Sequence, residues 1–183
     1  LIGTLVDKEL ECPIMVDDKA ITVEKTFTPR HSSGEVEVEF KVPGEVVRGK
    51  TVVVFEDLYL DNMKIAMHAD IEDEGQTVYY PDIKTEAKDC ETLIGIGKAA
   101  DKIKIIDTVS YRGLMPGKEY TLIGKLMNKE TEKPIMDDNK EVSVEVEFVP
   151  ETSSGTIDVV FEFNGENLCG KSIVAFESLE YRN

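Results

Sequence analysis

The sequence has no tryptophan, two histidines and three cysteines in 183 residues, and aromatic side chains make up 7% of it. An exposed aromatic platform of the kind that stacks sugars is therefore poorly provided for. His31 and His68 are too few and too scattered to build a metal site, so no metal and no cofactor is expected. Cys12, Cys90 and Cys169 are odd in number and lack metal-ligand spacing, which excludes a disulfide framework or a zinc-built module. No apolar run approaches the ~18 residues of a bilayer-spanning helix. Positive charge is also scarce: Lys+Arg 21 against Asp+Glu 37 gives a net charge of −16. Such a surface repels phosphates and anionic headgroups, so nucleic acid and membrane surfaces are set aside as partners. The acidity is spread along the chain, with 8 basic and 17 acidic residues in 1–80. No signal peptide is visible and the chain opens on Leu1, so it reads as a piece of a longer polypeptide.

What is present is a repeat. Residues 1–62 laid on 122–183, at an offset of 121 and without gaps, match at 30 of 62 positions. LIGTLVDKE meets LIGKLMNKE, PIMVDDK meets PIMDDNK, SSGEVEVEF meets SSGTIDVVF and GKTVVVFE meets GKSIVAFE. The chain thus holds one and a half copies of a module of about 121 residues, the first without its opening part and the second without its closing part. Cys12 and Cys169 face Lys133 and Arg48 in the other copy, so no disulfide was duplicated.

The coarse reading is nearly all strand. Val36, Val38, Phe40 and Val42 alternate with Glu35, Glu37, Glu39 and Lys41, and Val142–Val144–Val146–Phe148 does the same in copy two. Period-two alternation predicts strands with one buried face. Thr51–Phe55 and Ser172–Phe176 are apolar runs that fit strands buried on both faces. Turn chemistry lies at Ser-Ser-Gly 32–34 and 153–155 and at Met115-Pro116-Gly117-Lys118. Short strands at this spacing indicate antiparallel β-sandwiches. Asp89–Asp101 fits neither period and reads as a loop or a single helical turn. Pro81 marks the expected boundary, with 1–80 as the C-terminal part of one repeat and 81–183 as the N-terminal part of the next. With no Gly/Ser linker between them, the modules are expected to abut as a stiff rod.

Gly95-Ile96-Gly97-Lys98-Ala99-Ala100 matches a dinucleotide fingerprint, but no buried parallel strand leads in and no long helix follows, so it is rejected. No G-x-S-x-G, P-loop or Cys-x-x-Cys occurs, and motif alone does not make this an enzyme. Some polar residues are nevertheless oddly placed. Glu56 and Glu177 end apolar strands at equivalent positions, and a carboxylate beside buried residues is costly unless paired or protonated. In a single copy the strand would simply surface there; retention in both favours a role. Asp107, within Ile105-Ile106-Asp107-Thr108-Val109, is disfavoured mid-strand. His68, Gln76 and Thr85 would each pass for ordinary structural residues.

The succession Ile-Lys-Thr-x-Ala-x-Asp (83–89), Ile-Asp-Thr-Val-x-Tyr-x-Gly-Leu-x-Pro-Gly (106–117), Tyr-Thr-Leu-x-Gly-x-Leu-Met (120–127), Val-Ala-Phe-Glu (174–177) and His-x-Asp-Ile-x-Asp-x-x-Gln-Thr-Val (68–78) resembles the T-Q ester-bond domain. These domains are also called VaFE repeats, of Gram-positive surface adhesins and pilus-like stalks. The resemblance covers essentially the whole chain. It implies tandem Ig-like antiparallel sandwiches, all-β and both incomplete here. In each, a Thr on the first strand and a Gln on the last are joined by a self-formed ester. By motif the Thr is Thr85 and the Gln is Gln76; the assisting acids are Asp107 with Glu177 in copy two and Glu56 in copy one, and the assisting imidazole is His68. Thr108 is a rival nucleophile, but strand neighbours face opposite ways, so it cannot share a site with Asp107.

The implied function is a cross-linked structural stalk module on a bacterial cell surface, extracellular and cell wall-anchored, with the cross-link formed once and without turnover. Its partners would be neighbouring repeats of the same polypeptide, with a host ligand that the sequence does not specify. Thr85 and Gln76 belong to different copies. Either the chain continues on both sides or other copies complete the halves by strand exchange. A plain β-sandwich module that binds glycan or host protein is the competing reading. A Lys–Asn isopeptide stalk is a third, with Lys84 or Lys104 supplying the amine, but no Asn sits at the Gln76 position.

Overall fold

The structure, a computed structural model, describes residues 1–181. It divides into two compact units, Leu1–Asp82 and Ile83–Asn183. Nearly all regular structure is antiparallel β, and no helix among the described residues is long and apolar enough to cross a membrane.

In the first unit the strands are β1 (Ile2–Asp7), β2 (Cys12–Pro13), β3 (Met15–Val16), β4 (Lys19–Ala20), β5 (Thr22–Glu24), β6 (Lys50–Leu60), β7 (Met63–His68) and β8 (Thr77–Tyr80), with one helical turn, α1 (Gly44–Val47), before β6. β1 and β6 form the centre of a six-stranded sheet. The far edge of β6 is shared by two strands in succession: β8 pairs Lys50–Val53 and β7 pairs Glu56–Leu60. The core gathers Leu5, Ile14, Val47 and Val52.

The second unit holds β9 (Asp82–Asp89), β10 (Ile103–Arg112), β11 (Tyr120–Asn128), β12 (Met136–Asp137), β13 (Lys140–Glu141), β14 (Ser143–Phe148), β15 (Gly155–Phe163) and β16 (Ile173–Tyr181). Two three-stranded sheets, β15-β10-β9 and β14-β11-β16, face one another across a core of Val109, Leu122, Leu126, Val159, Phe161 and Phe163. This is the two-layer sandwich that alternating strands demand: each sheet has one apolar face, and the two faces cover each other.

The repeated motifs now have physical reasons. Asp17-Asp18, Asp61-Asn62 and Asp138-Asn139 all have positive φ and form the two-residue corners of β3–β4, β6–β7 and β12–β13. Tight hairpins need two left-handed residues there, which short polar side chains tolerate. The glycine of Leu-Ile-Gly makes room for a ring. A Cβ on Gly124 would lie 2.7 Å from the Phe161 ring, and one on Gly3 would lie 2.7 Å from that of Phe40, the equivalent phenylalanine.

One expected strand does not form. Residues 36–42 alternate as cleanly as their counterparts in β15 but take no strand conformation. β15 pairs along its length with β10, and the first unit has no counterpart of β10. Alternation supplies a buried face, and Phe40 and Val42 still pack on the core, but a ladder requires a partner. The stretch 89–101 is a loop. It is organised by Asp89, whose carboxylate accepts the backbone N–H groups of Glu91 and Thr92 at 3.0 Å each. Gly95–Ala100 lies in it, with Asp89 packed against Gly97. All three cysteines are free thiols.

Gly124→Ala is expected to destabilise the second unit by about 1–3 kcal/mol, because its methyl meets both Phe161 and Val159. Urea unfolding of the variant checks this; an unchanged midpoint would show that the ring is not confined.

Candidate functional site

β10 is strictly two-sided. Ile103, Ile105, Asp107, Val109 and Tyr111 face inward, while Lys104, Thr108 and Arg112 face out. Asp107 carries the one carboxyl on the inward face and is fully buried. On β16 the same parity sets Ile173, Ala175, Glu177 and Leu179 toward the core. Glu177 therefore does not mark a strand surfacing; it points into the sandwich from the opposite sheet. Thr85 shares the face of Ile83, which packs on the core, and sits on the edge strand β9. Three residues from three strands and both sheets thus converge.

The electrostatics of this group are unusual. Neither carboxylate oxygen of Asp107 meets a donor, and Oε1 of Glu177 meets none. Two ionised carboxylates cannot satisfy each other. The Glu177 carboxyl is pushed up to about 8, first by burial and then by hydrogen bonding to Asp107 and its negative charge, with the Thr85 hydroxyl acting in the opposite direction. Near neutrality Glu177 holds a proton and becomes the donor that Asp107 otherwise lacks. Opposed carboxyls sharing one proton is the arrangement such proximity produces. Thr85, exposed on its edge strand, lies beside this protonated acid.

Thr108 faces away from this group and donates to Asp158 Oδ1 at 2.7 Å, which removes it as a rival. Lys104 is on the outer face, 2.8 Å from Glu162.

The first unit holds the other residues. Glu56 and His68 are direct cross-strand partners, so their side chains share one face. His68 Nε2 lies 3.0 Å from Asp73 Oδ2. Gln76 does not lie in the last strand, as expected from sequence, but ends the short 3₁₀ turn Glu74–Gln76 that leads into it. The chain leaves the sheet after His68 and returns at Thr77, and Gln76 sits at the point of return.

Residues that the sequence reading overlooked hold that excursion in place. Asp73 caps the 3₁₀ turn by accepting the Gly75 N–H at 2.8 Å, while its backbone carbonyl accepts the Thr77 hydroxyl at 2.7 Å. Its position three residues before Gln76 in Asp-Glu-Gly-Gln was the available capping signal. Lys8, on the β1–β2 connection, bridges Glu72 and Glu74 at 3.2 Å each. No local pattern announces that pairing, because its partners are more than sixty residues apart.

The family profile of the T-Q ester bond containing domain matches residues 1–80 and again 81–183. Among solved structures, the chain is similar to a bacterial adhesin from Mobiluncus mulieris containing intramolecular disulfide, isopeptide and ester bond cross-links. In one crystal form the identity is 15% and the TM-score 0.47, over 56% of this chain and 45% of that one. In a second form the values are 16% and 0.45, over 56% and 44%. The chain spans under half the length of those solved chains. No curated protein sequence matches it significantly.

Because the folded carboxyl of Glu177 binds its proton more tightly than the unfolded one, ordinarily near 4.5, the folded state carries the extra proton between about pH 4.5 and 8. Stability of the second unit is expected to fall as pH rises through that window. Glu177→Gln should flatten the dependence in urea melts at pH 5 and pH 9. An equal slope in the variant would assign the proton elsewhere.

Proposed function

As both halves of the chain belong to the T-Q ester bond domain family, we propose that each finished module is a self-cross-linking structural element of a bacterial surface adhesin. In it a threonine ester to glutamine joins the first strand to the last. The observation that carries this reading is the meeting of Thr85 with the proton-sharing pair Asp107 and Glu177, contributed by both sheets of a sandwich. A spacer domain has no reason to bury two carboxyls face to face, since that arrangement costs stability.

The chemistry is a single acyl transfer. The Thr85 hydroxyl is a poor nucleophile and a carboxamide a poor electrophile, so the hydroxyl proton must be taken as the C–O bond forms. An imidazole placed as His68 is placed across from Glu56 suits that step. The neutral acid at Glu177 donates a hydrogen bond to the oxyanion that develops on the glutamine carbonyl. Collapse of the intermediate breaks the C–N bond, and the imidazole returns the proton to the leaving nitrogen, which departs as ammonia. Fixed strands supply effective molarities of ~10⁵ M or more. In the finished module, covering of the exposed Thr85 keeps water from the ester.

Mechanically, a bond between terminal strands lets tension enter and leave a module covalently, without loading the ladder between. That is a stalk role, extracellular and anchored to the cell wall. It involves one turnover per module and no further substrate. The partners are adjoining repeats of the same polypeptide.

Intact mass of a longer polypeptide holding whole modules tests this. Each module is expected to weigh one ammonia less than its sequence, and Thr85→Ala should restore the missing mass in its own module. A deficit unchanged by that substitution would refute the nucleophile. Normal mass throughout, combined with glycan or host-protein binding, would favour the plain ligand-binding module.

A further inference from the structure

The excursion between β7 and β8 lies wholly inside the first unit and carries four acids, Asp70, Glu72, Asp73 and Glu74. Three of them are engaged away from the imidazole. Asp70 Oδ1 accepts the Glu72 N–H at 3.0 Å. Glu72 and Glu74 are drawn to the Lys8 ammonium at 3.2 Å each, and Glu74 also takes the Tyr79 hydroxyl at 3.1 Å. Lys8 is itself fixed to β6, through its N–H to the Thr51 carbonyl at 2.8 Å. That leaves Asp73 facing the ring, with Oδ2 3.0 Å from His68 Nε2. The same residue holds the turn of Gln76: Oδ1 takes the Gly75 N–H at 2.8 Å, and its carbonyl takes the Gln76 N–H at 3.1 Å and the Thr77 hydroxyl at 2.7 Å.

The two carboxylate oxygens do different work. Oδ1 is a cap, and any acceptor there would serve. Oδ2 meets a ring nitrogen, and a carboxylate can only accept, so Nε2 must carry the proton. A neutral imidazole has one N–H, which leaves Nδ1 as the lone pair. Glu56, across the β6–β7 pair, is the other acid beside this ring. An imidazolium formed in the reaction therefore stands next to two carboxylates.

We propose that Asp73 is a positioning residue for the acyl transfer, holding His68 in the Nε2–H tautomer and, through the same side chain, the turn that carries the Gln76 amide. Nδ1 is then the atom that takes the threonine hydroxyl proton as the C–O bond forms, and that returns it to the amide nitrogen as the C–N bond breaks. Asp73 neither gains nor loses a proton. This role rests on the ester reading above; the tautomer does not.

Asp73→Asn separates orientation from capping. Its carbonyl oxygen still accepts the Gly75 N–H, but an NH₂ now faces the ring, which must accept at Nε2 and carry its proton on Nδ1. Nitrogen-15 NMR of the 183-residue chain under alkaline conditions, with His31→Gln to assign the signals, is expected to show Nε2–H in the parent and Nδ1–H in the variant. In a longer polypeptide holding the whole module that ends at Tyr80, intact mass is followed after cell-free synthesis. The variant should lose ammonia about 100-fold more slowly or worse, with the urea midpoint of the 183-residue chain unchanged. An Nδ1–H ring in the parent, an unmoved tautomer in the variant, or a normal rate beside a switched tautomer would overturn the proposal. A slow rate with a lowered urea midpoint would make Asp73 a cap alone and overturn it equally. A parent polypeptide of full sequence mass would remove the ester reading and this role with it, whereas a parent deficit with a normal rate in the variant would remove this role alone.

Discussion

Two carboxyls meeting inside a sandwich set the terms for everything else in the second unit. Asp107 has no donor of its own, and only a proton on Glu177 supplies one. Burial raises the affinity of Glu177 for that proton, and the proton makes the burial tolerable. The arrangement requires both sheets at once, because Asp107 comes from β10 and Glu177 from β16. Chemistry and layer packing are therefore one constraint: the acid pair exists only when the sandwich is closed over it, and the threonine on β9 is positioned by the same closure.

The two units carry different candidate residues. The second presents hydroxyl and acids; the first presents the imidazole, the amide and the clamp that holds the amide's turn. Lys8, just after β1, pairs with Glu72 and Glu74, while Asp73 ties the turn to His68. Gln76 thus sits on a braced excursion, not on a straight strand.

Much of the architecture was legible in the chain. The 121-residue offset exposed the module, and alternation over 142–148 marked a strand with one buried face, which is β14. Glu177 was recognisable because its twin Glu56 sits at the same place. What alternation did not carry was the presence of a partner: residues 36–42 have the pattern of β15 without a β10 to pair with, and remain irregular. Likewise Gln76 reads as strand from its neighbours Thr77 and Val78, but the Asp73 cap diverts it into a 3₁₀ turn. Contacts between distant segments, such as Lys8 with Glu74, leave no periodic trace.

The two-sidedness of β10 carries one further consequence. Asp107 and Thr108 are adjacent, and behind Thr108 lies Asp158. A strand mis-seated by a single residue would turn the whole inner row outward, exchanging an acid for a hydroxyl and lodging Lys104 and Arg112 among the leucines. Faulty assembly would thus bury charge and expose the apolar row together, so packing alone holds β10 in its register.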